Sequence, residues 1–346
     1  MFARTIALLF LLFTSLLQGV AAAGAPISAA HTGTEAIGRQ ADYLQESGGP
    51  LTLAQAVAAQ RAGKFTPSPS GFLNFGIGAR PAWIHFSVDN PAAAAARLRL
   101  SVEAAWLDRV DVHFVRDGRP VAEYRSGDRS PLASRPVDSR YYAFDHGFAA
   151  GGTEVFIRVE TPDPMMVPLY LMSAAQAQAR EQLETYSYGF LYGFLFALLV
   201  YNAVLSAGLR DSRYLAYSLY LGAFLLMNAA YTGHGFRWLW PDHFQWAQWS
   251  NPVLMVLYAT SGLLFALSFL DAREHFPRMY KAVLAYIAAA ASLLLVTVLM
   301  DSQLYALLLA FDVTLLFPVI MLGMGAWAAR SGKTPARYFL LAAIAA

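Results

Sequence analysis

YGFLYGFLFALLVYNAVLSAGLRDSRYLAYSLYLGAFLLMNAAYTGHGFRWLWP, residues 188–241, decides the architecture. It carries no charge before Arg210, turns through Arg210-Asp211-Ser212-Arg213, and is uncharged again from Tyr214 to Phe236. A bilayer core of about 30 Å takes about 20 apolar residues at ~1.5 Å each. The windows 185–209 and 214–236 are each long enough to span it, and so are 243–270 and 282–300 further on. A fifth window, 304–329, is interrupted only by Asp312, and a sixth starts at Tyr338 and reaches the last residue, Ala346. Those last residues cover about 14 Å, half a bilayer core. The reading is five full transmembrane helices and the start of a sixth, with the chain expected to be part of a longer protein.

The composition agrees. Of 346 residues 57% are apolar and 14% charged, against roughly 25% charged in soluble domains. The charges are unevenly placed: residues 26–180 hold 15 Lys and Arg and 15 Asp and Glu, the rest after 180 only 9 and 8. This near balance, with no basic block, excludes a nucleic-acid partner, whose phosphates need a concentrated cationic face. The chain has no cysteine, which excludes disulfides, thiolate nucleophiles and Cys-based metal sites.

Upstream of the helices the periodicity is different. Residues 1–25 join one early positive charge, Arg4, to an apolar run and the small residues Ala21 to Ala25, the pattern of a cleaved signal peptide; a retained anchor is the alternative. Residues 26–50 read as a lead-in segment and 51–62 as a short helix. Ile84, Phe86 and Val88 then alternate with Trp83, His85 and Ser87, and the same period of two recurs at Leu98, Leu100, Val102 and at Val155, Ile157, Val159. Asp117-Gly118 between two such runs marks a hairpin. Residues 51–172 are therefore expected to form an all-β, jelly-roll-like sandwich. A connecting helix is expected over 173–186, which lacks Gly and Pro, followed by the membrane domain over 187–346.

Orientation has its own signal. The expected inner loops carry Arg210, Arg213, Arg273, Arg278, Lys281, Arg330, Lys333 and Arg337, while the outer loops carry only Arg237. The positive-inside rule thus places the sandwich outside, as the signal peptide does.

Tyr188-Gly189, Tyr192-Gly193, Tyr201-Asn202, Leu209-Arg210-Asp211, Gly235-Phe236 and Leu239-Trp240-Pro241, in this order, resemble the bacterial seven-transmembrane receptors with diverse intracellular signalling modules. Pro81-Ala82-Trp83, Leu107-Asp108-Arg109-Val110, Arg135-Pro136 and Val167-Pro168-Leu169 resemble the extracellular sensor domain of that family. The resemblance covers residues 45–346. It implies a periplasmic jelly roll, related in fold to carbohydrate-binding domains, mounted on seven helices in the inner membrane. It also implies a cytoplasmic output module, often a diguanylate cyclase, histidine kinase or phosphatase, through which the receptor can dimerise. That module is missing from these residues, which themselves contain no catalytic motif, and no cofactor is implied.

In the sandwich the candidate ligand residues are Trp83, Arg129, Arg135, Arg140, Tyr141 and Tyr142: guanidinium forks grip carboxylates or hydroxyls, and aromatic faces stack on sugar C–H surfaces. The structural alternative makes Trp83 and Trp106 core and pairs the arginines with Asp128, Asp138 and Asp145. Within the membrane the polar residues are Asn202, Asn228 and Asp312; a carboxylate there is costly, so Asp312 is expected to face the bundle or a wet cavity. His234, Asp242 and His243 share the outer loop but read as interfacial residues rather than metal ligands. The tryptophans 238, 240, 246 and 249 form an interfacial belt or a docking surface for the sandwich.

The functional reading is a membrane receptor that senses a periplasmic small molecule, of which a carbohydrate is one candidate. A transporter or channel component with a periplasmic binding domain is the alternative. The topology is directly testable: alkaline phosphatase fused after Gln303 should be active, and after Lys281 or Lys333 inactive. The opposite pattern of activities would overturn it.

Overall fold

The computed structural model describes residues 24–241, 243–330, 338–341 and 344. Residues 1–23 of the expected signal peptide, Asp242, Lys333 and Arg337 lie outside the described residues.

Eleven strands form two antiparallel-dominated sheets. The larger one contains β1 (Ile27–Ser28), β2 (Asp42–Gln45), β3 (Thr66–Pro67), β5 (Ala82–Asn90), β7 (Arg109–Arg116), β8 (Arg119–Ser126) and β10 (Gly151–Glu160). Their order is β3-β2-β5-β10-β7-β8, with β1 parallel to the far end of β5. The smaller sheet orders β4 (Phe72–Asn74), β11 (Met166–Ser173), β6 (Ala96–Val102) and β9 (Tyr142–Phe148). Between the sheets lie the residues whose period of two marked the strands: Ile84, Phe86 and Val88 of β5, Leu98, Leu100 and Val102 of β6, and Val155, Ile157 and Val159 of β10. The expected hairpin joins β7 to β8, with Asp117 and Gly118 both at positive φ, 52° and 74°, as a two-residue turn requires.

The segment 26–50 is part of this sheet. β2 and β1 pair along one edge of β5, at Tyr43↔Ile84 and Ile27↔Val88, so that the backbone groups of this buried strand are satisfied on both sides. Both strands are short and only partly buried, which is why they show no period in the sequence. Helix α1 (Leu53–Arg61) starts at Thr52, whose capping box with Gln55 satisfies the first free N–H groups.

The smaller sheet ends in β11, and without a break the chain becomes α2 (Ala174–Leu209), capped by Ser173 and Gln176. Its 36 residues reach about 54 Å, well beyond a bilayer core. The connecting helix expected over 173–186 is therefore the outer end of the first span. Then come α3 (Ser212–Tyr231), α4 (Phe244–Phe269), α5 (Pro277–Leu299) and α6 (Gln303–Ala329), and residues 338–341 are again helical. α3 packs between α2 and α4, and α4 packs on α6, where Ala259, Leu263 and Ala266 meet Val313 and Phe317. α2, α4, α5 and α6 are long and apolar enough to cross a membrane; α3 has 20 residues, but its tyrosines lower its hydropathy.

The intramembrane polar residues divide. Asn202 and Asn228 each donate to the carbonyl one turn earlier, that of Leu198 and of Phe224. Asp312 is exposed on the outside of the five described helices, off their mutual seam. The seam of α6 with its neighbours runs through Ala306, Ala310, Val313 and Phe317, and Asp312 lies a residue, ~100°, away from Val313.

Within the sandwich Tyr142 is completely buried, its hydroxyl 2.9 Å from the carbonyls of both Ala105 and Leu107. Tyr142→Phe should cost about 1–3 kcal/mol, because two buried carbonyls lose their donor. Urea unfolding followed by tryptophan fluorescence would read this, and an unchanged midpoint would show that the hydroxyl contributes nothing.

Candidate functional site

Residues with opposite parity to the core line the outer face of the larger sheet. Register puts them in two rows across four strands: Trp83, Arg158, Asp111 and Arg125 in one, His85, Phe156, His113 and Glu123 in the other. At the end of the sheet where β5 begins and β10 ends, the first row floors a cleft of about 780 Å³, walled by α1 and the 46–53 loop. A second cavity of about 420 Å³ lies beside it and shares Arg109, Asp111, Arg125 and Glu160.

The floor is an ion-pair lattice. Arg158 donates from Nε and Nη2 to both oxygens of Glu46, at 2.8 and 2.9 Å, and from Nη1 to Glu160 at 2.7 Å. Glu46 also accepts from Trp83 Nε1 at 2.9 Å and from the Leu51 N–H at 3.0 Å. Burial by itself would push the Glu46 carboxyl up; the Arg158 fork and these N–H donors outweigh it and hold the carboxyl below its ordinary value. Trp83 stacks on His113 at 5.7 Å, and burial lowers the His113 pKa, which keeps the ring neutral. Trp83, buried under Leu51 and Leu53, is thus a structural part of the floor rather than an open stacking face.

Of the other predicted ligand residues, Arg129 lines the second cavity and the remaining four are placed elsewhere. Arg135, Arg140, Tyr141 and Tyr142 come together at the joint between sandwich and helices. Arg135 lies over the rings of Tyr142 and Phe236 and donates to the carbonyls of Ser139 and Arg140. Arg140 donates to Glu184 of α2 at 2.6 Å and to the Thr232 carbonyl at 3.3 Å, with its guanidinium over Tyr141 and Tyr188. The space beside Arg140 and Tyr141 is about 30 Å³, room for a water or so and no more. Arg129, away from this joint and in the second cavity, pairs with Asp108 at 2.6 Å, not with Asp128. Asp138 pairs with Arg237 and Asp145 with Arg99.

The same joint absorbs much of the outer aromatic loop. Phe236 and Trp240 pack with Leu132 of the sandwich, whereas Trp238 and Trp246 remain exposed. Trp106 stacks on Tyr231 at 4.6 Å. Gly233, at φ 80°, comes so close to the sandwich that a Cβ there would lie 2.6 Å from that of Ala105. His234 is buried, hydrogen-bonded through Nδ1 with Thr232 and Tyr192, while His243 is exposed.

A chain of hydrogen bonds leads from the second cavity to this joint. Arg129 faces Asp108, Asp108 accepts from Thr161 Oγ1 at 2.8 Å, Thr161 Oγ1 accepts from the Asp163 N–H at 3.1 Å, and Asp163 accepts from Gln303 Nε2, at the start of α6, at 3.0 Å. Burial pushes the Asp163 carboxyl well above the ordinary range. Glu46, Arg158, Asp108, Asp163 and Gln303 were all missed from the sequence, since partners 112 and 140 residues apart carry no local pattern. The one available signal was Asp163 between two prolines, just ahead of the apolar run Met165 to Val167.

The family descriptions agree with this division. "7TMR-DISM extracellular 2" matches residues 38–173, and "7TM diverse intracellular signalling" matches residues 184–346. The chain belongs to this receptor family. It is a membrane receptor whose N-terminal sandwich is an extracellular sensor domain. No curated protein matches it.

Glu46→Gln should destabilise the sandwich at neutral pH by about 3 kcal/mol, because the buried Arg158 loses its main counter-charge. The lowered Glu46 carboxyl contributes stability above the ordinary carboxylate range and loses it as pH falls through its folded value. The gap between wild type and Glu46→Gln in urea midpoint should therefore hold from neutral pH down to the ordinary glutamate value of 4.5 and narrow as pH falls further below it. A gap independent of pH would show that the charge of Glu46 is not what matters.

Proposed function

We propose that this receptor resides in the inner membrane of a bacterium, with its sandwich in the periplasm, and binds a small molecule in the cleft on the outer face of the larger sheet. A carbohydrate is one candidate, and a cytoplasmic module such as a diguanylate cyclase, histidine kinase or phosphatase is the expected output. The observation that carries this reading is the continuity between cleft and bundle. The cavity wall is tied through Asp108, Thr161 and Asp163 to Gln303, and β11 runs without a break into α2. A helical joint without Gly or Pro transmits displacement more stiffly than a Gly/Ser tether.

A ligand moves such a balance only by its difference in affinity for the two arrangements, about 1.4 kcal/mol for each tenfold shift. The absence of cysteine allows a single fluorophore on Ser302→Cys to report on the end of α6. Inserting Gly-Gly-Ser-Gly after Ala177, or Arg140→Ala as an independent break, should leave ligand binding intact and abolish the ligand-dependent change in emission. An unchanged response in both variants would reduce the joint to a tether and overturn the coupling.

A further inference from the structure

We infer that the double cavity on the outer face of the larger sheet is a site for an anion bearing two or more carboxylates or phosphates, which bridges both cavities. This rests on the cleft being the receptor's ligand site, and it goes further by fixing the ligand's charge.

The argument is one of depth. Ten charged side chains line the two cavities, five of each sign, so a count of charge is neutral. The signs are not at the same level. In the pair Arg109–Asp111 the carboxylate side chain is 6% exposed and the guanidinium 48%; in Arg129–Asp108 the values are 2% and 57%. The buried carboxylates prop the arginines and point their remaining N–H donors outward. Arg125 stands 72% exposed beyond Glu123. Arg80, on the rim of the larger cavity, is exposed and has no ion-pair partner among the described residues.

Glu123 and Glu160 are open too, at 43% and 46%, so the open charges are four guanidiniums against two carboxylates, and a ligand meets a net positive surface. Arg80 serves one cavity, Arg129 the other, and Arg109 and Arg125 belong to both. Register places Asp111 opposite Arg125 and Arg109 two residues earlier on the same strand, so that the two shared forks stand diagonally on one face. Planar forks presenting paired N–H groups fit carboxylate and phosphate oxygens bidentately. Burial also raises the Asp108 carboxyl, which weakens its claim on Arg129. The hydroxyls of an uncharged ligand can accept single hydrogen bonds from these four forks but leave the excess positive charge unanswered; an anion extended across both cavities answers both.

The test uses the whole chain in phosphatidylcholine nanodiscs and isothermal titration calorimetry. Trigalacturonate, with three carboxylates, and tripolyphosphate are the anionic probes, and maltotriose is the uncharged probe of matched length. The anions should bind with an affinity that falls as salt rises, and maltotriose should not. Arg80→Gln combined with Arg125→Gln should weaken anion binding at least about tenfold, while Arg97→Gln, on the other sheet, should not change it. Loss of probe binding on adding cardiolipin, whose headgroup carries two phosphates, to the discs would support the same chemistry and identify a lipid headgroup as its source.

Maltotriose bound as tightly as trigalacturonate, without salt dependence, would overturn the anion while leaving the receptor reading in place. Anion binding that is absent, or unmoved by the double variant, would overturn the site. The receptor reading itself stands or falls separately, on the coupling of the joint to Ser302→Cys.

Discussion

Arg140 holds a full charge, 6% exposed, at the point where the extracellular sandwich meets the helices. A buried guanidinium is tolerable only if charge and N–H groups are both answered. The answers come from both sides: Tyr141 and the rest of β9's approach from the sandwich, Glu184, Tyr188 and the Thr232 carbonyl from the helices. Burial works against its charge, yet Tyr141 and Glu184 keep it firmly protonated. Separating the two domains would leave Glu184 half-answered and strip Arg140 of most of its partners. The docked arrangement is thereby specified, and Gly233 permits the close approach that it needs.

Docking also explains why the Arg/Tyr segment looked like a binding site in the sequence. Arginine and tyrosine clusters serve ligand recognition and domain interfaces by the same physics: planar cations over aromatic faces, and forks on carboxylates and carbonyls. Residue types in 135–142 reveal the chemistry but not the occupant, which is another part of the same chain. Conversely, the cleft is built from residues whose roles depend on register. Trp83, Arg158, Asp111 and Arg125 line up only once β5, β10, β7 and β8 are side by side.

What was legible follows range. Period-two alternation marked β5, β6 and β10, Asp117-Gly118 marked the hairpin, and uncharged length marked the helices, because each depends on neighbours in sequence. The pairing of β1 and β2 with β5 was not legible, since two- and four-residue strands, half exposed, carry no alternation to detect. The place of Asp312 relative to the described helices was not legible for a related reason. Cost arguments say that a carboxylate in a membrane should be covered, but which side of α6 forms the seam is set by Ala306, Ala310, Val313 and Phe317 against α4 and α5.

The cleft and the joint share one end of the sandwich, and this proximity has a mechanical consequence. Residues 161–163 leave β10 directly after Glu160, which lines both cavities, and reach Gln303 within three residues. Over that distance the backbone has little freedom: the Thr161 hydroxyl bridges the Asp163 N–H and Asp108, and Pro162 and Pro164 fix φ on either side. A ligand that draws Arg129 away from Asp108 changes the charge that this buried carboxylate presents to Thr161 and Asp163. The disturbance then falls on a raised, buried carboxyl whose one hydrogen bond to the helices among the described residues comes from a neutral amide, a contact that costs less to break than the Arg140–Glu184 ion pair. The α6 side of the joint is thus the weaker hinge, and the α2 side the fixed one.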